Sequence, residues 1–164
     1  MQTTITRYPR IRSLVVPALL AAALLLMPGC GRQAVRLNVE AVQNLSPGPA
    51  GDPHPVMLKL YLLAQKENFE TGDYQALWND PKNLLGGDLL GNPIPIDVAP
   101  GDTIVDRRIP KTKEALYLGV VAGYHNPTED GWRKVFAFHK KHRKPRVLIH
   151  LLENEMEVRY EKYW

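Results

Sequence analysis

The chain is poor in the residues that most often carry covalent chemistry. Its 164 residues include one cysteine, Cys30, and two serines, Ser13 and Ser46. A single thiol cannot form an internal disulfide bond, so the stability of the fold must come from its apolar core. Ser46 stands in a proline-rich stretch and lacks the G-x-S-x-G pattern that exposes a serine nucleophile on a tight turn. These absences argue against thiol and serine catalysis.

Paired carboxylates and metal-binding clusters are also missing. Glu153, Glu155 and Glu157 alternate along the chain, which is typical of a solvated strand face rather than of an acid–base pair. His139 and His142 have a spacing that zinc sites use, but four Lys or Arg residues stand between and beside them and would oppose a bound cation. We therefore expect no enzyme activity, no cofactor and no metal site.

Acidic residues are absent from the first 29 positions. Three arginines come first, followed by an apolar run over residues 14–27 that ends close to Cys30. A basic start, a short apolar run and a small residue before the cleavage point are typical of a secretory signal peptide. The run is shorter than the roughly 20 residues that a transmembrane helix needs. We predict a signal peptide over residues 1–29 and one folded domain over residues 30–164.

Removal of this leader would leave a domain that is almost neutral. The chain has 21 basic and 17 acidic residues, and loss of the three leader arginines leaves 18 basic residues against 17 acidic ones. A domain with so little net charge is not broadly basic. Its charge therefore argues against nucleic acid as a partner.

The residues around the predicted cleavage point resemble a lipoprotein signal. The segment Leu26-Met27-Pro28-Gly29-Cys30 is similar to a lipobox, in which a small residue precedes a cysteine that becomes acylated. The resemblance implies that several acyl chains are attached through Cys30, and two or more chains hold a protein firmly on a bilayer. Gly31 stands where an aspartate would favour retention in the inner membrane. The sorting rule of this class therefore implies the outer membrane, with the domain facing the periplasm.

Apolar periodicity predicts strands on both sides of a long loop. Residues 34–41 alternate between apolar and polar positions, which predicts a half-buried strand close to Cys30. Residues 44–55 hold four prolines and two glycines, which exclude a helix or a central strand and predict a loop. Residues 56–63 are apolar on both faces, so we expect a strand that is covered on each side.

A small helical insertion is predicted over residues 66–87. Asp73 can cap a short helix that carries Tyr74, Leu77 and Trp78 on one face. The dipeptide Asp80-Pro81 predicts the start of another helical turn, because proline is favoured at the first position of a helix. We expect the apolar side chains of this insertion to cover the second face of the preceding strand.

Strand-like alternation returns after the insertion. Prolines place the strand at residues 94–98 at a sheet edge, whereas the apolar residues 115–124 predict a central strand. One face of a later strand is predicted to carry Trp132, Lys134, Phe136 and Phe138. Further strands are predicted at residues 103–109, 147–151 and 156–160. Seven or eight short strands separated by turns predict an all-β fold, a two-sheet β-sandwich.

The order of these features resembles one family, the TssJ lipoproteins of the bacterial type VI secretion system. The most specific part is an apolar-Pro-Gly turn followed by a Tyr-Leu-Gly-Val-Val-Ala strand. In this chain the two motifs are Val98-Ala99-Pro100-Gly101 and Tyr117-Leu118-Gly119-Val120-Val121-Ala122. The remaining matches, in chain order, are the lipobox, Val35-Arg36-Leu37-Asn38-Val39, His54-Pro55-Val56, Leu58-Lys59-Leu60-Tyr61-Leu62-Leu63, Asn68-Phe69, Asp73-Tyr74-Gln75-Ala76-Leu77-Trp78, Leu89-Leu90 and Trp132-Arg133.

The resemblance implies a fold, a partner and a contact region. The fold is a transthyretin-like sandwich of two antiparallel sheets with a small helical insertion. TssJ proteins are not enzymes; they are structural lipoproteins of the trans-envelope complex, and they bind the periplasmic C-terminal domain of the inner-membrane protein TssM. In some members the loop between the first two strands makes this contact, which here corresponds to residues 44–55. The residues that we predict to bind the partner are Asn44, Leu45, Ser46, Pro47, Asp52, His54 and Pro55.

Two alternatives remain open from the residues alone. The loop at residues 44–55 is either a binding element or a passive surface connection. Residues 133–146 hold seven Lys or Arg residues and no acidic residue, which is typical of a solvated turn or of contact with an acidic surface. Such contact would suit a different function, that of a periplasm-facing lipoprotein that binds an anionic envelope polymer or lipid.

Overall fold

A computed structural model describes residues 33–139 and 145–161, which form two β-sheets and a helical insertion. These residues belong to the second of two compact units into which the chain divides, Arg32–Trp164. The predicted signal peptide and Cys30 lie outside the described residues. The elements in chain order are β1 (Gln33–Ala41), β2 (Val56–Leu63), α1 (Glu67–Thr71), α2 (Tyr74–Asn79), α3 (Pro81–Leu85), a 3-10 turn (Gly86–Asp88), β3 (Ile94–Val98), β4 (Thr103–Lys111), β5 (Tyr117–Ala122), β6 (Arg133–Ala137), β7 (Arg146–Leu151) and β8 (Met156–Tyr160).

The described strands form two four-stranded sheets, as a β-sandwich requires. The first sheet has the strand order β4-β1-β7-β8, and the second has the order β3-β2-β5-β6. The proline-bearing strand β3 lies at an edge and β5 lies inside its sheet, which confirms both predictions. One pair departs from the antiparallel pattern of the two sheets, because β1 and β7 are parallel. No hairpin joins these two strands, since the whole second sheet lies between them in the chain.

The main core lies between the two sheets and follows the predicted alternation. The inward side chains of β1, Val35, Leu37 and Val39, are fully buried. They meet the inward side chains of the parallel strand β7 in register, since Leu37 lies opposite Val147 and Val39 opposite Ile149. Burial of each such side chain stabilises the fold by roughly 1.5–3 kcal/mol relative to exposure.

A second apolar cluster covers the outer face of the second sheet. Tyr61 of β2 packs there against Phe69 and Leu77 of the helical insertion, which confirms that β2 is covered on both faces. The Tyr61 hydroxyl donates a hydrogen bond to the Leu77 carbonyl oxygen at 2.7 Å. Burial, with a smaller contribution from Tyr74, raises the pKa of Tyr61, so its hydroxyl remains a donor.

The starts of the helices agree in part with the predictions made from the sequence. The Asp73 carboxylate accepts a hydrogen bond from the backbone N–H of Ala76 at 2.9 Å, which is the predicted cap of α2. Pro81 is the first residue of α3, but the Asp80 side chain accepts from the Asn83 amide instead of from the helix backbone. None of the helices in the described part of the chain has the length and apolar character needed to cross a membrane.

Trp132 corrects one prediction about the face of a strand. It was expected to share a face with Phe136 and Phe138, which pack against the main core. Trp132 instead packs against the helical insertion, with its ring 5.3 Å from that of Tyr74. The residue precedes β6, so the alternation of the strand does not apply to it.

Gly119 marks a close approach that a side chain would disturb. A Cβ atom at this position of β5 would lie 2.7 Å from the Phe69 ring and 3.1 Å from a Leu63 methyl group. We expect Gly119→Ala to destabilise the fold by about 1–3 kcal/mol through overpacking, measured by urea unfolding. Gly87→Ala is the control, because a Cβ atom there has no neighbour within 4 Å. Equal stabilities of the two variants would contradict this packing.

The strand directions give the sandwich two distinct ends. Four connections meet at one end, which we call the loop end: residues 42–55, 99–102, 123–132 and 152–155. The opposite end, which we call the Gln33 end, holds the start of β1, the end of β4 and the start of β7. The register shows this directly, since Gln33 lies opposite Lys111 and Arg36 opposite Arg146.

Candidate functional site

The β1–β2 loop, residues 42–55, crosses the loop end from one sheet to the other and is held by backbone hydrogen bonds. In its first half, the Val42 N–H donates to the Leu151 carbonyl oxygen at 3.0 Å, and the Ser46 N–H donates to the Glu153 carbonyl oxygen at 2.8 Å. Its two halves are joined by the His54 N–H, which donates to the Leu45 carbonyl oxygen at 2.9 Å. The loop therefore has a defined conformation without a helix or a strand.

Leu45 and Ser46 anchor the loop from inside, which corrects the predicted contact set. Leu45 is fully buried in the main core, and Ser46 is 1% exposed. The Ser46 hydroxyl oxygen accepts a hydrogen bond from the His125 N–H at 2.8 Å, and its backbone has a φ of 48°, a conformation that L residues rarely adopt. Their side chains hold the loop in place and leave no surface for a partner.

The other predicted contact residues lie at or near the surface. Asn44, Asp52 and Pro55 are exposed, and Pro47 and His54 are half-buried. The Asn44 amide donates to a Glu153 carboxylate oxygen at 3.1 Å, which links the β1–β2 loop to the β7–β8 loop. The structure thus brings five of the seven predicted residues to one surface.

His54 and His125 form the centre of this surface. Their rings stack with centroids 6.1 Å apart and an interplanar angle of 16°. The His54 Nε2 atom lies 3.2 Å from an Asp52 carboxylate oxygen, and Nδ1 lies 2.9 Å from the Asp52 carbonyl oxygen. A Cβ atom on Gly48 would lie 2.6 Å from the His54 ring, so a side chain there would displace the ring. Sequence reasoning missed His125, because it stands 79 residues from its partner Ser46.

An open depression of about 270 Å³ lies beside the histidine pair. It is lined by residues from the β1–β2 and β5–β6 loops: Pro47, Gly48, Pro49, His125 and Asn126. Because prolines restrict the backbone, the wall that Pro47 and Pro49 provide loses little conformational entropy when a partner docks.

Two further interactions brace the neighbouring loops. The Tyr124 hydroxyl donates to the Glu155 carbonyl oxygen at 2.6 Å, and burial raises the pKa of this tyrosine. The Thr128 N–H donates to the Asn154 carbonyl oxygen at 3.0 Å. The β5–β6 and β7–β8 loops therefore support each other and, through Ser46 and Asn44, the β1–β2 loop.

The loop end is uniformly acidic. Its four connections contain six carboxylates and neither lysine nor arginine. All six are exposed: Asp52, Asp102, Glu129, Asp130, Glu153 and Glu155. A surface of this kind attracts a basic partner and repels an anionic polymer.

Arg133 and Arg146, the first and last residues of the predicted basic run, lie at opposite ends of the sandwich. Arg133 at the start of β6 donates hydrogen bonds to the carbonyl oxygens of Phe69 and Gly72, and its guanidinium lies 4.7 Å from the centre of the Trp132 ring. It therefore holds the helical insertion on the second sheet. Residues 140–144, which include His142, lie outside the described residues. Among the residues that the structure describes, no three His, Cys, Asp or Glu side chains converge as a metal site would require.

The family that matches this chain is described as "Type VI secretion lipoprotein, VasD, EvfM, TssJ", and its model covers residues 33–161. The chain belongs to this family. No curated protein matches it. Among solved structures, this chain is similar to the type VI secretion lipoprotein TssJ1 from Pseudomonas aeruginosa, with 27% sequence identity and a TM-score of 0.72. That alignment covers 81% of this chain and 99% of TssJ1.

Two other solved structures show the same TssJ fold at lower identity. Serratia marcescens Lip, a membrane-bound component of the type VI secretion system, aligns with a TM-score of 0.69 and 22% identity. The alignment covers 79% of this chain and 97% of Lip. A chain in the structure of the TssM C-terminal domain from EAEC aligns with a TM-score of 0.65 and 23% identity, over 77% of this chain and 97% of that one.

Proposed function

We propose that this TssJ-family protein is a structural lipoprotein of the type VI trans-envelope complex and has no catalytic role. Acylated Cys30 would hold it in the outer membrane, facing the periplasm. Its loop end would dock the periplasmic C-terminal domain of the inner-membrane protein TssM. The observation that carries the proposal is the braced loop at residues 42–55, which presents a fixed surface with two inward anchors, Leu45 and Ser46.

The family and the likeness to solved structures support the choice of partner. The chain belongs to the type VI secretion lipoproteins, and a chain of the same fold occurs in the structure of a TssM C-terminal domain. The depression at the loop end is open to solvent. A preformed surface of this kind binds with a smaller entropic cost than a flexible loop does.

The charge of the loop end predicts how the interaction depends on salt. Six carboxylates on one surface favour a basic contact region on TssM, and such attraction raises the association rate most at low ionic strength. We expect the affinity to fall as salt is added. The same charge disfavours the alternative function at this surface, because an anionic envelope polymer would be repelled.

The test is the affinity of the protein for the TssM periplasmic domain, measured by calorimetry. We expect the double variant Asp52→Ala/His54→Ala to bind at least about tenfold more weakly, since it removes the exposed centre of the proposed contact and leaves both anchors in place. Lys113→Ala at the Gln33 end is the matched control and should bind normally. If the double variant is folded by circular dichroism and its affinity is unchanged, the interface does not include this loop.

A further inference from the structure

We propose that the depression at the loop end binds one arginine side chain of the periplasmic C-terminal domain of TssM. This inference rests on the proposed docking of TssM and adds the side chain that the surface would recognise. The guanidinium group would stack on the His125 ring, which lines the depression, and would pair with the carboxylate of the neighbouring Asp52.

The size of the depression suits a single side chain. Its volume is about 270 Å³, whereas pockets for small-molecule ligands usually have roughly 300–1,000 Å³. It is open to solvent, so a side chain on the surface of another protein can enter it. Tryptophan, tyrosine and arginine are the side chains that most often fill such pockets and carry the binding energy of protein interfaces. The depression therefore has room for one of these three.

His125 provides a flat wall that is held in place before a partner binds. Its backbone N–H donates to the buried Ser46 hydroxyl oxygen at 2.8 Å. The His54 ring supports the His125 ring, since the two stack with centroids 6.1 Å apart. His125 is exposed, so part of its ring remains open to a partner. A planar guanidinium stacks on aromatic rings, and a wall that is already ordered costs little entropy on binding.

Asp52 places a carboxylate at the Gly48 side of the depression. The Gly48 N–H donates to the Asp52 carbonyl oxygen at 2.9 Å, and a Cβ atom on Gly48 would lie 3.4 Å from Asp52 Oδ1. Asp52 Oδ2 lies 3.2 Å from His54 Nε2, and the Asp52 side chain is 60% exposed. Its carboxylate is therefore accessible to a cation. Arginine suits this arrangement better than lysine, because a guanidinium can stack on a ring and donate to a carboxylate at the same time.

The charges around the depression favour arginine over tryptophan or tyrosine. The four connections of the loop end carry six exposed carboxylates and neither lysine nor arginine. Arg133, which begins β6, donates to two backbone carbonyl oxygens of the helical insertion. The Lys59 ammonium of β2 donates to the Trp78 carbonyl oxygen of the same insertion at 2.7 Å. Both cations are thus held against the insertion, and the depression attracts a basic side chain.

The experiment measures the affinity of the full protein, purified in detergent, for the TssM C-terminal domain by calorimetry. We expect His125→Ala to bind at least about tenfold more weakly. This variant keeps the backbone N–H that donates to Ser46, so the loop should stay in place. His125→Phe keeps a flat ring and should bind within about threefold of the native protein. His139→Ala, the same substitution at the Gln33 end, is the matched control and should bind normally.

Replacement of each TssM arginine by lysine, one at a time, identifies the side chain that enters the depression. We expect one replacement to weaken binding to the native protein at least about tenfold, and to weaken binding to His125→Ala by less than about twofold. Such coupling arises when the two residues contact each other, and a merely structural role of His125 would not produce it.

The outcomes separate this inference from the proposed function. If Asp52→Ala/His54→Ala weakens binding but no TssM arginine is coupled to His125, the arginine site is overturned while the docking of TssM at the loop end stands. A folded His125→Ala protein with normal affinity, or coupling of His125 to a TssM tryptophan or tyrosine instead, would also overturn it. A native protein that does not bind the TssM domain would contradict the proposed function itself.

Discussion

Cys30→Ala is expected to abolish membrane attachment and type VI secretion while leaving the domain folded. The described sandwich begins at Gln33, three residues after Cys30, so we expect it to fold without the cysteine. Loss of the acyl chains removes an attachment that two or more chains make effectively stable. The variant should be exported behind an ordinary cleavable signal peptide, because an uncut leader could itself retain the protein on a membrane.

Membrane fractionation and export of a secreted effector measure this result. Gln33→Ala, three residues further along the chain, is the control and should fractionate with the outer membrane. A Cys30→Ala protein that still fractionates with membranes, or that still supports export, would show that acylation is not what positions this protein.

Leu45→Ala is expected to destabilise the fold by about 2–5 kcal/mol, the largest stability effect that we predict for the β1–β2 loop. The side chain is fully buried between the sheets, so its truncation removes apolar contacts and leaves a cavity. Pro49→Ala in the same loop is the control, because Pro49 is exposed and should change the free energy of unfolding by less than about 0.5 kcal/mol. Urea unfolding measures both values.

Leu45→Ala also distinguishes residues that hold the β1–β2 loop in place from residues that contact TssM. If Leu45 only packs in the core, any loss of TssM affinity in Leu45→Ala should follow from unfolding or from displacement of the loop. The loss in Asp52→Ala/His54→Ala should occur at unchanged stability. Equal stabilities of Leu45→Ala and Pro49→Ala would show that Leu45 does not hold the loop.

Local patterns in the sequence predicted the strands and the cover of the second sheet. Alternation along β1 identified its buried side chains, and prolines identified β3 as an edge strand. Apolar residues on both faces of β2 predicted the helical cover that Phe69 and Leu77 provide. Such features depend on periods of two or on single residues with strong backbone preferences, so a local segment is enough to predict them.

Contacts between distant segments could not be predicted in this way. Leu45 is one apolar residue in a loop, and no period shows that it points inward. The stacking of His54 on His125 and the parallel pairing of β1 with β7 depend on how the two sheets are connected. Five of the seven predicted contact residues reach the surface, and the two exceptions are the ones that fix the loop to the core.

Site-specific photo-cross-linking in cells that carry the complete secretion machine tests the central claim most directly. A photoreactive amino acid replaces exposed Ala50 at the loop end or exposed Lys113 at the Gln33 end, one position at a time. Docking of TssM by the loop end predicts a cross-link to TssM from position 50 and none from position 113. Cross-links to TssM from position 113, with none from position 50, would contradict it.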